Sequence, residues 1–363
     1  MLGYVNPEFW QGKEVFLTGH TGFKGAWLAL WLSEMGAKVT GYALPPDTKP
    51  SLFDLLKLEK NITSIIGDIR NPQELRRAMI DCQPDVVLHL AAQPIVSTGY
   101  EDPIGTFETN IMGVVHLLEV CREIGGRLPV LIVSSDKCYQ NNDAGRAFTI
   151  TDPLGGKDPY SASKAGTEIV VGAYTASYFQ DVDGPVVASA RAGNVVGGGD
   201  WSLNRLLPDG ARAFSENLPL ILRNPLATRP WQHVIEPLYG YLALVEAMSD
   251  SRGYGRAWNF GPHNRNHQAV GVLAELFAKS WGSEARVEVT TSAQDWNEAA
   301  TLDLDCSETN ETLNWMPALS LDDTVSWTAG WYKKAHADLT TDNVRKLTIT
   351  QIEDYVQLQA NRS

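Results

Sequence analysis

The glycine-rich segment TGHTGFKG, which begins at Thr18, constrains the fold more than any other feature of the sequence. Its glycines, Gly19, Gly22 and Gly25, have GxxGxxG spacing. An apolar run precedes the segment, and a stretch with helical spacing of apolar residues begins at Phe23. In such a strand–turn–helix unit, backbone N–H groups and the positive end of the helix dipole bind a phosphate group. Because a side chain at Gly19 or Gly22 would block the approach of a pyrophosphate, the segment predicts a dinucleotide site.

Short apolar runs alternate with helical stretches through the first half of the chain. This alternation is typical of βαβ units, in which helices cover both faces of a parallel sheet. We therefore expect an α/β fold with a Rossmann-type doubly wound parallel sheet. The expected strands are 13–17, 38–42, 62–66, 85–90, 130–133 and 186–190, and the expected helices are 23–35, 72–81, 107–124 and 159–178.

The pattern changes after about residue 195, where shorter elements are mixed with proline and tryptophan. We expect the dinucleotide-binding domain to span 1–192, with later segments at about 225–262 returning to it. A smaller interleaved portion at 193–335 would mainly bind the substrate, and 336–363 would form a C-terminal tail.

Composition narrows the range of partners. The net charge of −13 disfavours nonspecific binding to nucleic acid or to an anionic membrane, because both need a basic face. The sequence contains no apolar stretch long enough to span a membrane and no secretory leader, so a cytoplasmic protein is expected. The four cysteines are scattered, and none has the spacing of a metal site. We expect no metal, no nucleic acid and no membrane partner.

The segment YSASK supplies the candidate chemistry. On a helix, Tyr160 and Lys164 lie one turn apart on the same face. An ammonium group there stabilises a phenolate, so we expect a lowered pKa for Tyr160. Such a pair can remove a hydroxyl proton while hydride leaves the same carbon atom. The cluster SSDK at 134–137 follows a predicted central strand, at the sheet edge where ligands of open α/β sheets bind.

The residue that distinguishes NAD from NADP is missing from its usual place. Dinucleotide sites normally have an acid at the end of the second strand for the ribose, or an arginine for a 2′-phosphate. Here that strand ends at Tyr42 and Ala43, and Asp47 follows only after two prolines. The spacing leaves NAD and NADP open. Asp68, after the third strand, is placed either for an adenine edge or for a helix N-terminus near Asn71.

Taken together, these motifs resemble those of the extended short-chain dehydrogenase/reductase superfamily. The resemblance is carried by TGHTGFKG, GDIR at 67–70, HLAAQ at 89–93, SSDK, YSASK and RAGNVVGGGDW at 191–201. It implies an NAD cofactor and a role for Ser135 in hydrogen bonding to the reacting sugar oxygen. The residues that it implies for cofactor binding are Thr18, Gly19, Thr21, Gly22, Phe23, Lys24, Asp68, Ile69, Leu90, Ala91, Ala92, Gln93, Asn110, Ser134, Tyr160 and Lys164.

Within the superfamily, the pair Asp136-Lys137 is similar to that of the CDP-glucose 4,6-dehydratases, whereas TDP-glucose dehydratases carry Asp-Glu. RNPLATRPWQHVIEPLYGYLAL at 223–244 and WNFGP at 258–262 match the CDP-glucose enzymes as well. The resemblance implies oxidation at C4, elimination of water across C5 and C6 by Lys137 as base and Asp136 as acid, and return of hydride to C6. CDP-glucose would be the substrate, and the implied catalytic residues are Ser135, Asp136, Lys137, Tyr160 and Lys164.

The resemblance also implies a set of substrate contacts. Asn194 would contact the diphosphate or the sugar, and Arg205 and Arg229 would hold phosphate or ribose. Trp231 and His233 would shape the nucleotide pocket, although Trp231 is also consistent with a core residue and His233 with a structural histidine.

Two further functions remain open at this level, namely a sugar-nucleotide 4-epimerase and a non-catalytic dinucleotide-binding protein. An epimerase would release an isomer of unchanged mass, and a binding protein would show no turnover. The superfamily resemblance implies a homodimer formed through the helices at 107–124 and 159–178, with a dimer of dimers as the alternative.

Overall fold

The computed structural model describes residues 5–142, 145–262, 267–290 and 302–362. Helices and strands alternate through most of this chain. The strands are β1 (Glu14–Thr18), β2 (Lys38–Ala43), β3 (Thr63–Ile66), β4 (Val86–His89), β5 (Pro129–Val133), β6 (Val186–Ala192), β7 (Val195–Val196), β8 (Leu220–Leu222), β9 (Thr228–Pro230), β10 (Gln232–His233), β11 (Ala257–Phe260), β12 (His267–Ala269) and β13 (Val287–Val289). The helices are α1 (Pro7–Trp10), α2 (Phe23–Glu34), α3 (Leu52–Leu56), α4 (Pro72–Cys82), α5 (Val96–Glu101), α6 (Pro103–Phe107), α7 (Gly113–Ile124), α8 (Pro159–Tyr178), α9 (Leu206–Ser215), α10 (Ile235–Asp250), α11 (Val270–Trp281), α12 (Ser307–Leu313), α13 (Leu321–Ala337) and α14 (Thr341–Ala360).

A seven-stranded parallel sheet with the order β11-β6-β5-β4-β1-β2-β3 organises the molecule. The strand order reverses between β1 and β4, which is where open α/β sheets leave a crevice for a ligand. This confirms the expected Rossmann-type fold. Strand β11 extends the sheet at the edge beyond β6, so a late segment of the chain pairs with the first half.

Helices cover both faces of the sheet. On one face, α2 and α10 pack against the strands through a core that includes Leu30 and Leu242. On the other face, α4, α7 and α8 pack on a core that includes Phe16 and Ile132. Neighbouring residues of a strand alternate between these cores, because successive side chains point to opposite faces. The interior strands are therefore mostly apolar, apart from buried polar residues such as Ser189 and Arg191 on β6.

Most of the expected elements of the first half are confirmed to within a residue or two. The helix expected at 107–124 is the clearest difference, because it consists of two helices joined by a π-helical turn at Glu108–Met112. Asn110 lies in this wider turn, is buried and hydrogen-bonds with Gln93 and Ser163. The turn thus brings a polar side chain to helix α8, which a regular helical pattern does not predict.

The C-terminal segment is part of the core rather than a loose tail. Helix α14 packs against α13 and α3 and buries Val344, Ile352 and Tyr355. The expected division into domains stays a prediction. Within the parts of the chain that the structure describes, no helix is both long and apolar enough to cross a membrane.

Candidate active site

A cavity of about 1300 Å³ runs along the carboxyl ends of the sheet strands. Its lining begins at Gly19 after β1 and includes Ala43, the last residue of β2, and Leu90 after β4. It continues past Ser134 after β5 to Ala192 at the end of β6. This is the crevice that the strand order predicts. A single site of one drug-sized ligand seldom exceeds about 1000 Å³, so the cavity has room for a dinucleotide and a second ligand.

The glycine turn forms one end of the cavity. Gly19 has a φ of +79°, and a Cβ there would lie 2.7 Å from the backbone nitrogen of Ala91. A Cβ on Gly25 would lie 2.0 Å from the carbonyl oxygen of Gly19. Both glycines are therefore required to pack the turn, and the expected clearance that Gly19 gives to a ligand stays a prediction. Only Gly22 is open, because its Cβ would meet nothing closer than 3.5 Å.

The N-terminus of α2 opens onto this end of the cavity. The helix begins after Gly22, and no side chain caps it. Its first residues, Phe23 and Lys24, line the cavity together with Gly22. An uncapped helix N-terminus offers free N–H groups and positive potential to an anion. The residues present therefore fit the pyrophosphate of a dinucleotide.

Thirteen of the sixteen residues expected to bind the cofactor line the cavity. They are Gly19, Thr21, Gly22, Phe23, Lys24, Asp68, Ile69, Leu90, Ala91, Ala92, Ser134, Tyr160 and Lys164. The hydroxyl oxygen of Ser134 is buried and has no hydrogen-bond partner within the described residues. A buried hydroxyl without a partner is costly, so this group is available to a ligand.

The remaining three, Thr18, Gln93 and Asn110, are not part of the lining, and their expected contact with the cofactor stays a prediction. Thr18 is fully buried, and its Oγ1 accepts hydrogen bonds of 3.1 Å from the backbone nitrogens of Leu90 and Ala91. Asn110 Oδ1 accepts a 2.8 Å hydrogen bond from the backbone nitrogen of Gln93. These side chains satisfy the polar groups of the loop after β4 and so hold that loop in place.

The acidic residues near the adenine end have separate roles. Asn71 caps α4 by accepting a hydrogen bond from the backbone nitrogen of Glu74, so Asp68 is not the cap. Asp68 lines the cavity, and its carboxylate accepts hydrogen bonds from Arg70, which lower its pKa. Asp47 also lines the cavity, although two prolines separate it from the end of β2. The sequence did not indicate that Asp47 lies at the cavity, because its position depends on the path that the chain takes after β2.

The expected catalytic groups converge on the middle of the cavity. Helix α8 begins after Asp158, whose side chain accepts a hydrogen bond from the backbone nitrogen of Ser161. This cap sets the start of the helix that carries Tyr160 and Lys164, which are 8% and 5% exposed. Ser135 begins a short turn after β5 and shares a hydrogen bond with the Tyr160 phenol that lowers the phenol pKa.

Burial dominates the ionisation of the Tyr160 and Lys164 pair. It raises the pKa of Tyr160 to about 12 and lowers the pKa of Lys164 to about 8. The expected lowering of the Tyr160 pKa is therefore wrong for the chain by itself, because desolvation of the phenolate outweighs the hydrogen bond from Ser135. A ligand that brings positive charge would reverse this balance.

Asp136 is the buried acid of the site. It is 3% exposed, and burial raises the pKa of its carboxyl group, although Lys137 and Arg229 act in the opposite direction. Its Oδ1 accepts a 3.0 Å hydrogen bond from Ser135. A Cβ on Gly193 would lie 3.1 Å from Asp136 Oδ2, so this glycine leaves room for the carboxyl group. A carboxyl group that retains its proton can act as a general acid.

Four of the five residues expected to contact only the substrate line the other end of the cavity. They are Asn194, Arg205, Arg229 and Trp231. Arg205 is paired with Asp200 at 3.2 Å, and Trp231 donates a 3.1 Å hydrogen bond to the carbonyl of Gln268. Trp231 thus serves both as core and as cavity wall.

His233 is the exception and corrects the expectation of a pocket residue. It is fully buried, outside the cavity lining, between the rings of Trp27 and Trp327, each with its centroid 5.9 Å away. Burial lowers its pKa to about 3, so the ring is neutral. His233 is a core histidine in this structure.

The family is decided by sequence comparison. A family model described as GDP-mannose 4,6 dehydratase matches residues 16–328. The chain belongs to this family. It is also 44% identical, over 91% of its length and 93% of the relative, to the CDP-glucose 4,6-dehydratase of Salmonella typhimurium.

Solved structures with the same fold include a 4,6-dehydratase and an epimerase. The dTDP-glucose 4,6-dehydratase of Bacillus anthracis in complex with NAD aligns with a TM-score of 0.73 at 20% identity, covering 91% of this chain and 99% of that one. The UDP-glucose 4-epimerase of Thermotoga maritima with UDP-glucose aligns with a TM-score of 0.77 at 20% identity, covering 88% and 99%. At these identities, the similarity shows the fold.

The sequence did not indicate several lining residues of this family member. Leu203 and Leu226 lie on loops at the cavity mouth and are 71% and 84% exposed, and Arg223 adds a third arginine. No periodic pattern marks such loop residues, because their position depends on tertiary structure. The group of arginines in an otherwise acidic chain is the sequence feature that could have indicated this end of the cavity.

Proposed function

We propose that this chain converts CDP-glucose into CDP-4-keto-6-deoxyglucose and water. The observation that carries the proposal is the buried Asp136 next to Ser135 at the end of β5, where burial raises the pKa of its carboxyl group. A 4-epimerase needs the Ser, Tyr and Lys groups but has no step that requires a protonated acid at this position. The 44% identity to a CDP-glucose 4,6-dehydratase supports the same reaction and the same nucleotide.

NAD fits the cofactor end of the cavity. The uncapped start of α2 at Gly22, Phe23 and Lys24 would hold the pyrophosphate, and the free hydroxyl of Ser134 is available beside the reacting end. When bound, NAD supplies a hydride acceptor for C4, a hydride donor for C6 and a positive charge. The chain itself supplies the groups that move protons.

The first proton to move is that of the sugar O4 hydroxyl. Tyr160 takes this proton in its phenolate form, which the Lys164 ammonium stabilises, and becomes a neutral phenol as the C4 carbonyl forms. Ser135 donates a hydrogen bond to the carbonyl oxygen. Because burial opposes the ionisation of Tyr160, the reaction depends on the positive charges near it.

The second stage removes water across C5 and C6. The C4 ketone acidifies the C5 hydrogen, which Lys137 removes in its neutral form. Asp136 donates its proton to O6, and the C6–O6 bond breaks to release water. C5 is then reprotonated from the opposite face as C6 accepts hydride. The product retains the 4-keto group, so the O4 proton on Tyr160 and the C5 proton on Lys137 pass to solvent, which supplies the new C5 proton and reprotonates Asp136.

The nucleotide would lie at the arginine-rich end of the cavity. Arg205 and Arg229 carry permanent charges that suit a diphosphate. Asn194 would contact the diphosphate or the sugar, and Trp231 offers a flat ring as a wall for ribose or base.

Mass spectrometry of CDP-glucose incubated with the chain and NAD tests this proposal. We expect a product lighter by one water, and we expect UDP-glucose and dTDP-glucose to react more slowly. The Tyr160→Phe variant serves as the control and should leave the substrate unchanged. An isomer of unchanged mass would instead identify a 4-epimerase, and no turnover of any sugar nucleotide would identify a binding protein.

We infer that the chain forms a homodimer. Ile104, Phe107 and Met112 on the α6–α7 segment are 71%, 38% and 43% exposed, and Ile169 on the adjacent α8 is 60% exposed. Exposed apolar side chains grouped on neighbouring helices are typical of a subunit interface. Light scattering should give the mass of two chains, or four for a dimer of dimers, and an Ile104→Glu/Ile169→Glu variant should be monomeric.

A further inference from the structure

A buried carboxylate lies one helical turn beyond Lys164. Glu168 is 5% exposed and follows Tyr160 and Lys164 at the same four-residue spacing, so all three occupy one face of α8. Its Oε2 accepts hydrogen bonds of 2.8 Å from Ser189 and 2.7 Å from Arg191. Its Oε1 has no hydrogen-bond partner within the described residues. A buried carboxylate is costly unless it balances positive charge, so its position requires an explanation.

Arg191 is held on its other side by a continuous polar network. Its guanidinium donates a 2.8 Å hydrogen bond to the hydroxyl of Tyr139 and lies 4.9 Å from the centre of that ring. Tyr139 donates a 2.6 Å hydrogen bond to Asn259 on β11. Tyr139 follows Lys137, the proposed base, by two residues. The network therefore joins the segment after β5 to Glu168 on α8, the helix that carries Lys164. Contacts other than Glu168 therefore hold the Arg191 guanidinium, so it should keep its position when Glu168 is replaced.

The titratable groups that are electrostatically coupled to Lys164 lie on four elements. Glu168 on α8 and Cys138 after β5 raise its pKa, and burial lowers it. Burial raises the pKa of Cys138 well above its ordinary value, so that group is a neutral thiol. His89 at the end of β4 has a pKa of about 3, and Lys24 at the start of α2 has a pKa lowered to about 7. Glu168, which forms a 2.7 Å ion pair with Arg191, is thus the acidic side chain of this set.

We propose that Glu168 is a positioning residue for the catalytic lysine, because its carboxylate, fixed by Arg191 and Ser189, keeps the Lys164 amine protonated while the reaction proceeds. This inference rests on the proposed function for the role of Lys164. Without Glu168, the Lys164 ammonium and the Arg191 guanidinium would be two buried positive charges, and the acid that pairs with Arg191 would be absent. The lysine would then release its proton, and the phenolate of Tyr160 would lose its stabilising charge.

Direct titration of Lys164 tests the proposal. The NAD-saturated chain, labelled with [ε-¹³C]lysine, is titrated by NMR, and the Lys164 signal is identified by its loss in Lys164→Arg. We expect Glu168→Gln to lower the Lys164 midpoint by about one pH unit, a tenfold change in the ionisation constant. Ser189→Ala removes a hydrogen bond to Glu168 without changing charge and should leave the midpoint unchanged. Glu168→Asp keeps the negative charge, so its Lys164 midpoint should lie close to that of the unchanged chain.

A second variant keeps the test decisive if Glu168→Gln does not fold. Glu168→Gln/Arg191→Met removes both charges and leaves no unpaired guanidinium. We expect its Lys164 midpoint to lie between those of Glu168→Gln and the unchanged chain. A midpoint equal to that of the unchanged chain in Glu168→Gln or in Glu168→Gln/Arg191→Met overturns the proposal and leaves Glu168 as a structural ion-pair partner.

Activity provides an independent readout. The kcat of the unchanged chain should fall as the pH rises through about 8, where Lys164 loses its proton. In Glu168→Gln this alkaline limb should move to lower pH, whereas a purely structural defect would lower kcat equally at every pH. The NMR titration needs no sugar nucleotide. Failure to dehydrate CDP-glucose would therefore overturn the proposed function without affecting the titration.

Discussion

The two walls of the cavity hold their side chains in different ways. On the catalytic wall, formed by Ser135, Asp136, Tyr160 and Lys164, every side chain is at least nine-tenths buried. On the loop wall, formed by residues 202–205 and 223–227, Leu203 and Leu226 are more than two-thirds exposed, and the Arg205 side chain is 32% exposed.

The difference follows from what each wall has to do. Burial shifts the pKa values of Asp136, Tyr160 and Lys164, and the proposed proton transfers depend on those shifts. A nucleotide must instead enter and leave, and permanently charged arginines bind phosphate without any pKa shift. Changes to the catalytic wall should therefore lower kcat, whereas changes to the loop wall should mainly raise KM.

The largest effect is expected from Tyr160→Phe. Loss of the phenol removes the group that accepts the O4 proton, and kcat should fall by about a thousandfold, within the range for general acid–base groups. Calorimetry should show that NAD still binds, because the glycine turn is unchanged. A variant that retains more than a tenth of the activity would contradict the role of Tyr160.

Asp136→Asn should have the next largest effect. The amide cannot donate a proton as an acid, so release of water should slow by about a hundredfold. Oxidation at C4 should continue, which can be followed as exchange of the C5 hydrogen with D₂O. Lys137→Ala is the matched variant, since it should abolish that exchange. Normal exchange in Lys137→Ala would exclude Lys137 as the base.

Arg205→Met sharpens the contrast between the two walls. Removing a charge-assisted contact with the diphosphate should raise the KM for CDP-glucose by about tenfold, while kcat changes by less than about twofold. Steady-state kinetics measure both constants. Arg205→Lys serves as the control, because it keeps the positive charge but loses the planar guanidinium group. A fall in kcat as large as that of Asp136→Asn would break the distinction between the walls.

Leu226→Ser should have the smallest effect. The side chain is 84% exposed at the mouth of the cavity, so its replacement should change KM by about twofold and leave stability unchanged. Thermal unfolding and initial-rate kinetics check both. A large loss of activity would show that the loop wall closes tightly on the substrate.

The sequence predicted the parts of this site that depend on local spacing. The Tyr160 and Lys164 pair follows from helical periodicity, and the glycine turn follows from its place between β1 and α2. Both signals lie within a few consecutive residues, so no knowledge of tertiary packing is needed.

The remaining parts depend on contacts between distant segments. The sequence left His233 open between a pocket residue and a structural histidine, and Trp27 and Trp327 enclose it from two separate helices. Asn110 lies behind the cavity because of a π-helical turn, and the pKa of Tyr160 is raised because burial exceeds the effect of its neighbours. None of these properties is encoded by the spacing of nearby residues.

Transfer of the C4 hydrogen tests most directly the central claim that oxidation, elimination and reduction take place on one sugar in one cavity. A mixture of CDP-[4-²H]glucose and unlabelled CDP-glucose is incubated with the chain and NAD, and the products are analysed by mass spectrometry and NMR. The account predicts that each product is lighter by one water and that deuterium from C4 appears only at C6 of the same molecule. Loss of the label to solvent, its transfer to unlabelled molecules, or an isomer of unchanged mass would contradict it.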